Sequence, residues 1–419
     1  MAPKDVTAEP YVDEQFIPAD NGDYFLDAET AAVADERRLN QLGYKQVYNR
    51  TMTPFEQWAY TFNYTAPSGF IIGYYGYMYL YGGPVLIIWG FLATSFGTMC
   101  MAWAMSEIIS AFPTLGSVYF WVFQLLPRGS KWAPFMSWYT GWVYLLGSFC
   151  GTALNEYLLA NFIATVILLA TGGAQNGGYE LTPNQIFGVT AGVFFIHFWV
   201  SITNTHWLGR ISTAGAAFQI LSILTVCIVL LSVAPKLQSA SFVFTTFVDA
   251  PDQGLSVAGG GFMAVLLGLP YYQSILTGFE VGSHVVEEVK TAAIAGPRAM
   301  CRSLYVTSIT ELCMLLAITF SIQNPDNILG SDTVTGMIFL RCGDAGFGRH
   351  ILTISTVALC QVEEAALPPR RSCTMCSRPD GRDLDLRVPL LLRHSALFPY
   401  FLATSPTSPS PPEWSVSSP

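Results

Sequence analysis

Four ionisable side chains, Glu156, His197, Glu280 and Glu311, stand inside long apolar runs that hold no lysine or arginine near their centres. A charged group at that depth in hydrocarbon is costly, so by default it faces a cavity, a partner or a proton path. An interior with carboxylates and no fixed cation suits a substrate that brings an amine, or a coupled proton. Glu280 is the leading candidate, because it follows Thr277-Gly278 directly in "LLGLPYYQSILTGFE". Glu156 and Glu311 read as buried structural acids, hydrogen-bonded or protonated. His197 reads as packed within a bundle.

A second feature with chemical potential is "NYTAPSGFIIGYYGYMYLYGG", where Pro67, Ser68 and Gly69 interrupt a run apolar enough to enter a bilayer. Proline removes an N–H and pushes away the carbonyl of Asn63, and glycine loosens the helix further. In hydrocarbon the freed groups need partners: either neighbouring helices repair a kink, or the chain is opened there to bind something. Pro270 and Thr277-Gly278 make a second interruption in the sixth apolar run. Paired breaks in runs one and six are what an inverted five-helix repeat with a central site predicts. Unwound backbone at Ser68, Gly69 and Phe70 would then present N–H groups at a half-helix N-terminus, suited to a carboxylate.

Other patterns carry less. "HVVEEVK" puts His284, Glu287 and Glu288 on one helical face, yet the second histidine of the zinc-protease patterns is absent. A solvated cytosolic helix end is expected there, with no metal. "CTMC" at Cys373 to Cys376 has redox spacing but no neighbouring strand pattern. Cys100, Cys150, Cys227 and Cys313 lie in apolar runs as small buried hydrophobes, which implies no disulfide framework. Tyr74, Tyr75, Tyr77, Tyr79 and Tyr81 read partly as an interfacial belt and partly as lining of a site. The sequons at Asn49 and Asn63 fall in a tail and inside a span, so glycosylation is not expected.

The elements that must position these residues follow from composition. The 419 residues are 52% hydrophobic and 12% charged, where soluble domains are roughly a quarter charged; the chain reads as a membrane protein. At about 20 apolar residues per crossing, spans fall near 57–81, 84–106, 133–168, 185–204, 211–233, 259–283 and 298–321, and an eighth begins near 350 and fails by about 361. Residues 1–56 hold eleven acidic and five basic residues and read as a solvated cytosolic tail; no signal peptide is visible. Arg128, Lys131, Arg210, Lys290, Arg298 and Arg302 fall on one side, against Lys236, Arg341 and Arg349 on the other, which puts the N-terminus in the cytosol. Residues 361–419 hold ten prolines, nine serines and six arginines, a composition that buries no core. That tail reads as disordered or as the product of a mis-spliced or frame-shifted gene model.

At this point the residues resemble a family. "LNQLGYKQVYNR", "GGPVLIIWGFLATSFGTMCMAWAMSEIISAFPTLGSVYFW", "WAPFMSWYTGWVYLLGSFCGTALNEY" and "TGFEVGSHVVEEVKTA" look like the fungal amino acid, GABA and choline permeases of the amino acid-polyamine-organocation superfamily. The likeness covers about 39–360. It implies an all-α polytopic transmembrane bundle of the LeuT-like inverted-repeat type, with helices 1 and 6 broken and substrate held between them. It also implies twelve spans, so the second repeat is incomplete here. Carried over by position, the first loop falls on Ala66, Pro67, Ser68, Gly69, Phe70 and Ile71, and the second on Ile275, Leu276, Thr277, Gly278, Phe279 and Glu280. The first loop of the family usually shows Thr-Gly or Ser-Gly without a preceding proline, unlike this one. The expected function is secondary transport of an amino acid or a related amine such as GABA or choline, with protons as the candidate coupling ion. Lipid is the expected surrounding, in the plasma or vacuolar membrane, and neither cofactor nor nucleic acid is expected. A seven-span receptor, a non-functional truncated permease and a membrane-embedded hydrolase are the competing readings.

Overall fold

The computed structural model describes residues 50–65, 67–127, 130–171, 178–201, 205–248 and 260–323. The acidic tail up to 49, the start of an eighth span near 350, the "CTMC" pair and the tail from 361 lie outside the described residues.

Helix boundaries follow local chemistry. Thr53 accepts the N–H of Glu56 with its hydroxyl while Glu56 accepts the Thr53 N–H at 2.7 Å. This reciprocal box starts α1, Pro54–Thr65. After Ala66, which lies outside the described residues, α2 runs Pro67–Leu80, with proline at the first position, where its missing N–H costs nothing. The expected unwinding at Ser68 to Phe70 is therefore not observed: these residues form the first turn of α2. The long helices α3 (Gly83–Ala111), α5 (Trp132–Ala170), α6 (Pro183–Ser201) and α7 (Thr205–Val233) follow, with a short α4 (Ser117–Leu125) after the "FPTLG" corner and a short α8 (Ala240–Thr245) capped by Ser239. The sixth run is opened as expected. Helix α9, Gly260–Ile275, stops in a turn at Leu276 to Gly278, and a 3-10 helix, Phe279–Glu288, continues. The last described helix is α10, Ala292–Phe320.

Among the described residues, five helical segments are long and apolar enough to cross a membrane: Gly83–Ala111, Trp132–Leu168, Trp207–Val233, Gly261–Glu288 and Ala292–Phe320. The halves α1 and α2 and the 19-residue α6 take the places of the other two expected spans. Large apolar side chains such as Phe96, Phe187, Phe195, Trp199, Leu221 and Ile228 point out of the bundle, each more than half exposed. A band of this kind is stable against lipid and not against water. The protein is an integral membrane protein with an all-helical bundle fold. Helix α10 is central, packed on α3, α1, α7, the 3-10 helix and α2.

Candidate functional site

The two interrupted spans pair crosswise, and each pairing has its own chemistry. On one side α1 lies along the 3-10 helix. Gln57 donates from Nε2 to the Gly282 carbonyl at 2.9 Å, and Met52 forms a parallel bridge beside Val289, donating its N–H to the Glu288 carbonyl at 3.0 Å and accepting the Lys290 N–H at 3.1 Å. Gly278 has φ +100°, a left-handed conformation that ends the helical path, and a Cβ there would run into the Tyr64 ring. A Cβ on Gly282 would run into the Thr61 hydroxyl. Two glycines thus let α1 and the second half of span six touch backbone to side chain.

On the other side α2 lies along α9. The Tyr271 ring stacks on Tyr77 and Tyr81, with centroids 5.2 and 5.9 Å apart, and meets Tyr74 at 5.8 Å. Tyr272 donates its hydroxyl to the Met78 carbonyl. The tyrosine run expected to form an interfacial belt is thus divided. Tyr74, Tyr75 and Tyr79 are buried, and Tyr77 is exposed.

The sequence-predicted residues are distributed around the crossing of these pairs. Tyr64, three residues before the start of α2, meets Gly278, and this contact brings the two interruptions together. Ser68 is buried, and its hydroxyl has no partner among the described residues. Pro67 and Gly69 are buried beside it, Phe70 is half-buried and stacks on Tyr74, and Ile71 belongs to the apolar core. Thr277 is exposed and donates back to the Gln273 carbonyl. Phe279 is buried. Glu280 is half-buried, its carboxylate turned to the backbone of Gly278 and its own N–H at the start of the 3-10 helix. Tyr64 and Tyr144 stand close enough to Glu280 to interact with it.

Three residues behave differently from their sequence reading. His284, Glu287 and Glu288 are not a solvated helix end: they are 9%, 2% and 4% exposed. Glu287 accepts the Leu115 N–H at 2.9 Å, His284 pairs with the Tyr144 hydroxyl at 2.8 Å, and the Ser283 and Ser117 hydroxyls meet. The "FPTLG" corner folds over this segment and supplies donors that a linear reading could not foresee. Among the described residues no cluster suits a metal.

Glu156 and His197 find each other across α5 and α6, Oε1 to Nδ1 at 3.0 Å, as buried structural groups. Glu311 is buried, as expected of a structural acid that is hydrogen-bonded or protonated; of the two, no hydrogen bond is seen, because neither carboxylate oxygen has a partner among the described residues. Asn63 donates to the Ser212 carbonyl at 2.7 Å and is 1% exposed, so its sequon is closed to a glycan. Gln219, whose side-chain polar atoms are both buried with no partner among the described residues, is a residue that the sequence reading does not single out. Its signal was there, as an amide alone in "AGAAFQILSILTV".

The family model described as amino acid permease matches residues 55–362. The chain belongs to the amino acid permease family. Among curated relatives it is 32% identical over 300 residues to the amino-acid permease BAT1 of Arabidopsis thaliana, a match that covers 71% of this chain and 57% of that protein. It is 31% identical over 345 residues to the BAT1 homolog of Oryza sativa, covering 80% and 65%. An uncharacterized amino-acid permease of Schizosaccharomyces pombe is 27% identical over 299 residues, covering 71% and 53%. The permease chain described here thus spans between about half and two thirds of the length of these relatives.

Proposed function

We propose that this permease moves an amino acid, or a related amine such as GABA or choline, across the plasma or vacuolar membrane, with its N-terminus in the cytosol and with protons as the coupling ion. The observation that carries the reading is the meeting of two interrupted spans at Tyr64 and Gly278. There the end of α1 meets the opened turn at Leu276 to Gly278, with the half-buried Glu280 two residues beyond it. A helix start attracts a substrate carboxylate, and Glu280 supplies a negative group for an amine. The site thus takes Pro67, Ser68, Gly69, Phe70 and Ile71 from one span and Thr277, Gly278, Phe279 and Glu280 from the other.

Tracer uptake and direct substrate binding test this on protein matched for surface expression. Gly69→Leu is expected to abolish uptake by crowding the backbone, and Ser68→Ala to be mild because its N–H remains. Glu280→Gln keeps the shape and removes the charge. A lost charge-assisted contact is worth about 1.5 to 3 kcal/mol, so affinity for a cationic group should fall by roughly ten- to a hundredfold. Unchanged binding and uptake in both Gly69→Leu and Glu280→Gln would move the site elsewhere.

A further inference from the structure

Two lines of exposed residues run side by side on the outside of α3 and α10. Helix α3 presents Phe96, Cys100, Trp103, Glu107 and Ser110, and helix α10 presents Arg298, Arg302, Tyr305, Ile309 and Cys313. Each set recurs every three or four residues, so each lies along one face of its helix. Three contacts fix the register. Ile109 meets Gly296, Cys301 donates from Sγ to the Ala102 carbonyl at 3.9 Å, and the Trp103 and Tyr305 rings lie with centroids 6.5 Å apart. The two helices are therefore antiparallel, with Glu107 at about the level of Arg298 and Phe96 at about the level of Ile309.

The seam between them changes character with depth. Helix α10 starts just after the bridge between Met52 and Val289, so its arginines lie toward the side of the membrane from which α1 enters. From Ser303 to its end at Phe320 the helix rises about 27 Å, close to the roughly 30 Å of a hydrocarbon core. Arg302 thus stands at the boundary between hydrocarbon and headgroups. Its Cβ points toward the helix start, which lets the guanidinium reach out of the hydrocarbon along the helix surface. Among the described residues Arg302 has no hydrogen bond or ion pair. Trp103 and Tyr305, 47% and 42% exposed, come next, at the depth where amphipathic rings settle. Deeper still, Phe96 and Ile309 are 71% and 63% exposed, and a Cβ on Gly97 would meet nothing within 4 Å.

We propose that this seam binds an anionic phospholipid, with its phosphate at Arg302 and Arg298, its glycerol beside the Trp103 and Tyr305 rings, and an acyl chain along Phe96, Gly97 and Ile309. Charge selects the ligand. Two guanidinium groups against the one carboxylate of Glu107 leave a single positive charge on these two lines, which a lipid of one net negative charge neutralises and a zwitterionic lipid does not. A guanidinium fork also takes two phosphate oxygens at once. The ring pair and the open apolar channel behind it offer nothing to a soluble anion, so the occupant is a lipid rather than free phosphate. Arg210 provides the contrast. It is exposed on the same side of the membrane, but its guanidinium lies over the Trp207 ring, 5.4 Å from the centroid.

Lipid binding here is independent of whether the chain transports, and it is tested on the purified full chain in phosphatidylcholine nanodiscs doped with phosphatidylserine. Native mass spectrometry after release from the disc counts the lipids that stay bound. Wild type should retain phosphatidylserine above its share of the bilayer, and Arg302→Gln should lower that enrichment about fivefold, the worth of one basic residue at an anionic surface. Arg302→Lys should recover part of it, because the charge returns without the fork. Tyr305→Leu leaves every charge in place and should loosen both lipids alike, which tests the seam even where Arg302→Gln yields little protein. Arg210→Gln should change nothing. Retention of the two lipids in bilayer proportion, or unchanged retention in both Arg302→Gln and Tyr305→Leu, would overturn the site, and an equal loss in Arg210→Gln would reduce it to diffuse surface charge. Displacement by glycerophosphoserine, the same headgroup without chains, would overturn the lipid as occupant. Benzoylphenylalanine in place of Phe96 should link to lipid on illumination; a link to a second copy of the chain would give the seam to a protein contact instead.

Discussion

The first pairing, α1 with the 3-10 helix, and the second, α2 with α9, occupy equivalent places in the fold but are held by different forces. The first relies on a directional bond from Gln57 to Gly282 and on the close approaches at Gly278 and Gly282, and its 3-10 helix is further held where Glu287 accepts the Leu115 N–H and His284 meets the Tyr144 hydroxyl. The second relies on stacked tyrosine rings around Tyr271 and one long hydrogen bond from Tyr272. Directional bonds in a buried setting fix a position, and their loss leaves unsatisfied groups. Ring faces tolerate small sliding and lose only a fraction of their contact energy when one partner changes. The comparison teaches that the first crossing is the fixed point and the second the tolerant one.

The largest effect that would break this contrast sits at Gly278. Gly278→Val combines a left-handed backbone, costing about 1 to 2 kcal/mol for a side chain, with overpacking against Tyr64, costing about 1 to 3 kcal/mol. A much reduced yield of folded protein and a lowered thermal midpoint in detergent are expected. A normal midpoint would show that the crossing of α1 with the 3-10 helix can give way.

Glu287→Ala ranks next, because it leaves the buried Leu115 N–H without its acceptor, a loss of about 1 to 3 kcal/mol. Hydrogen exchange at the "FPTLG" corner should speed up more than exchange in α9; equal rates would count against the corner being pinned through Glu287.

On the tolerant side, Tyr271→Leu keeps an apolar side chain and removes the stacking, for which about 0.5 to 1.5 kcal/mol is expected. A loss as large as that at Gly278 would erase the distinction between the two pairings. Tyr77→Phe sharpens it from the bottom: the ring remains and the side chain is exposed, so the midpoint should stay within about 0.5 kcal/mol of wild type.

Much of this architecture was legible in the chain. Apolar run length gave the spans to within a few residues, since a helix in lipid has little choice but to satisfy its own backbone. Thr277-Gly278 gave the second interruption, because only glycine takes the left-handed turn without strain. The first interruption was read too far along: "APSG" suggested opened backbone at Ser68 to Phe70, but proline at a helix start is compatible with helix, and α2 begins there. The polarity of "HVVEEVK" points to water, whereas its partners come from far along the chain: Leu115 at the corner, 172 residues before Glu287, and Tyr144 on α5, 140 residues before His284.

Composition and spacing by themselves determined that the chain enters a membrane as an all-helical bundle and that spans one and six are interrupted, because hydrophobic length and glycine or proline placement act locally. Which polar groups are satisfied was decided only by the tertiary structure. Glu156 and Glu311 are the same residue type in similar apolar runs, yet one meets His197 and the other meets no partner among the described residues. A buried carboxylate's state depends on what the neighbouring helices carry at its level, and helix register between distant segments is set by packing rather than by the local sequence.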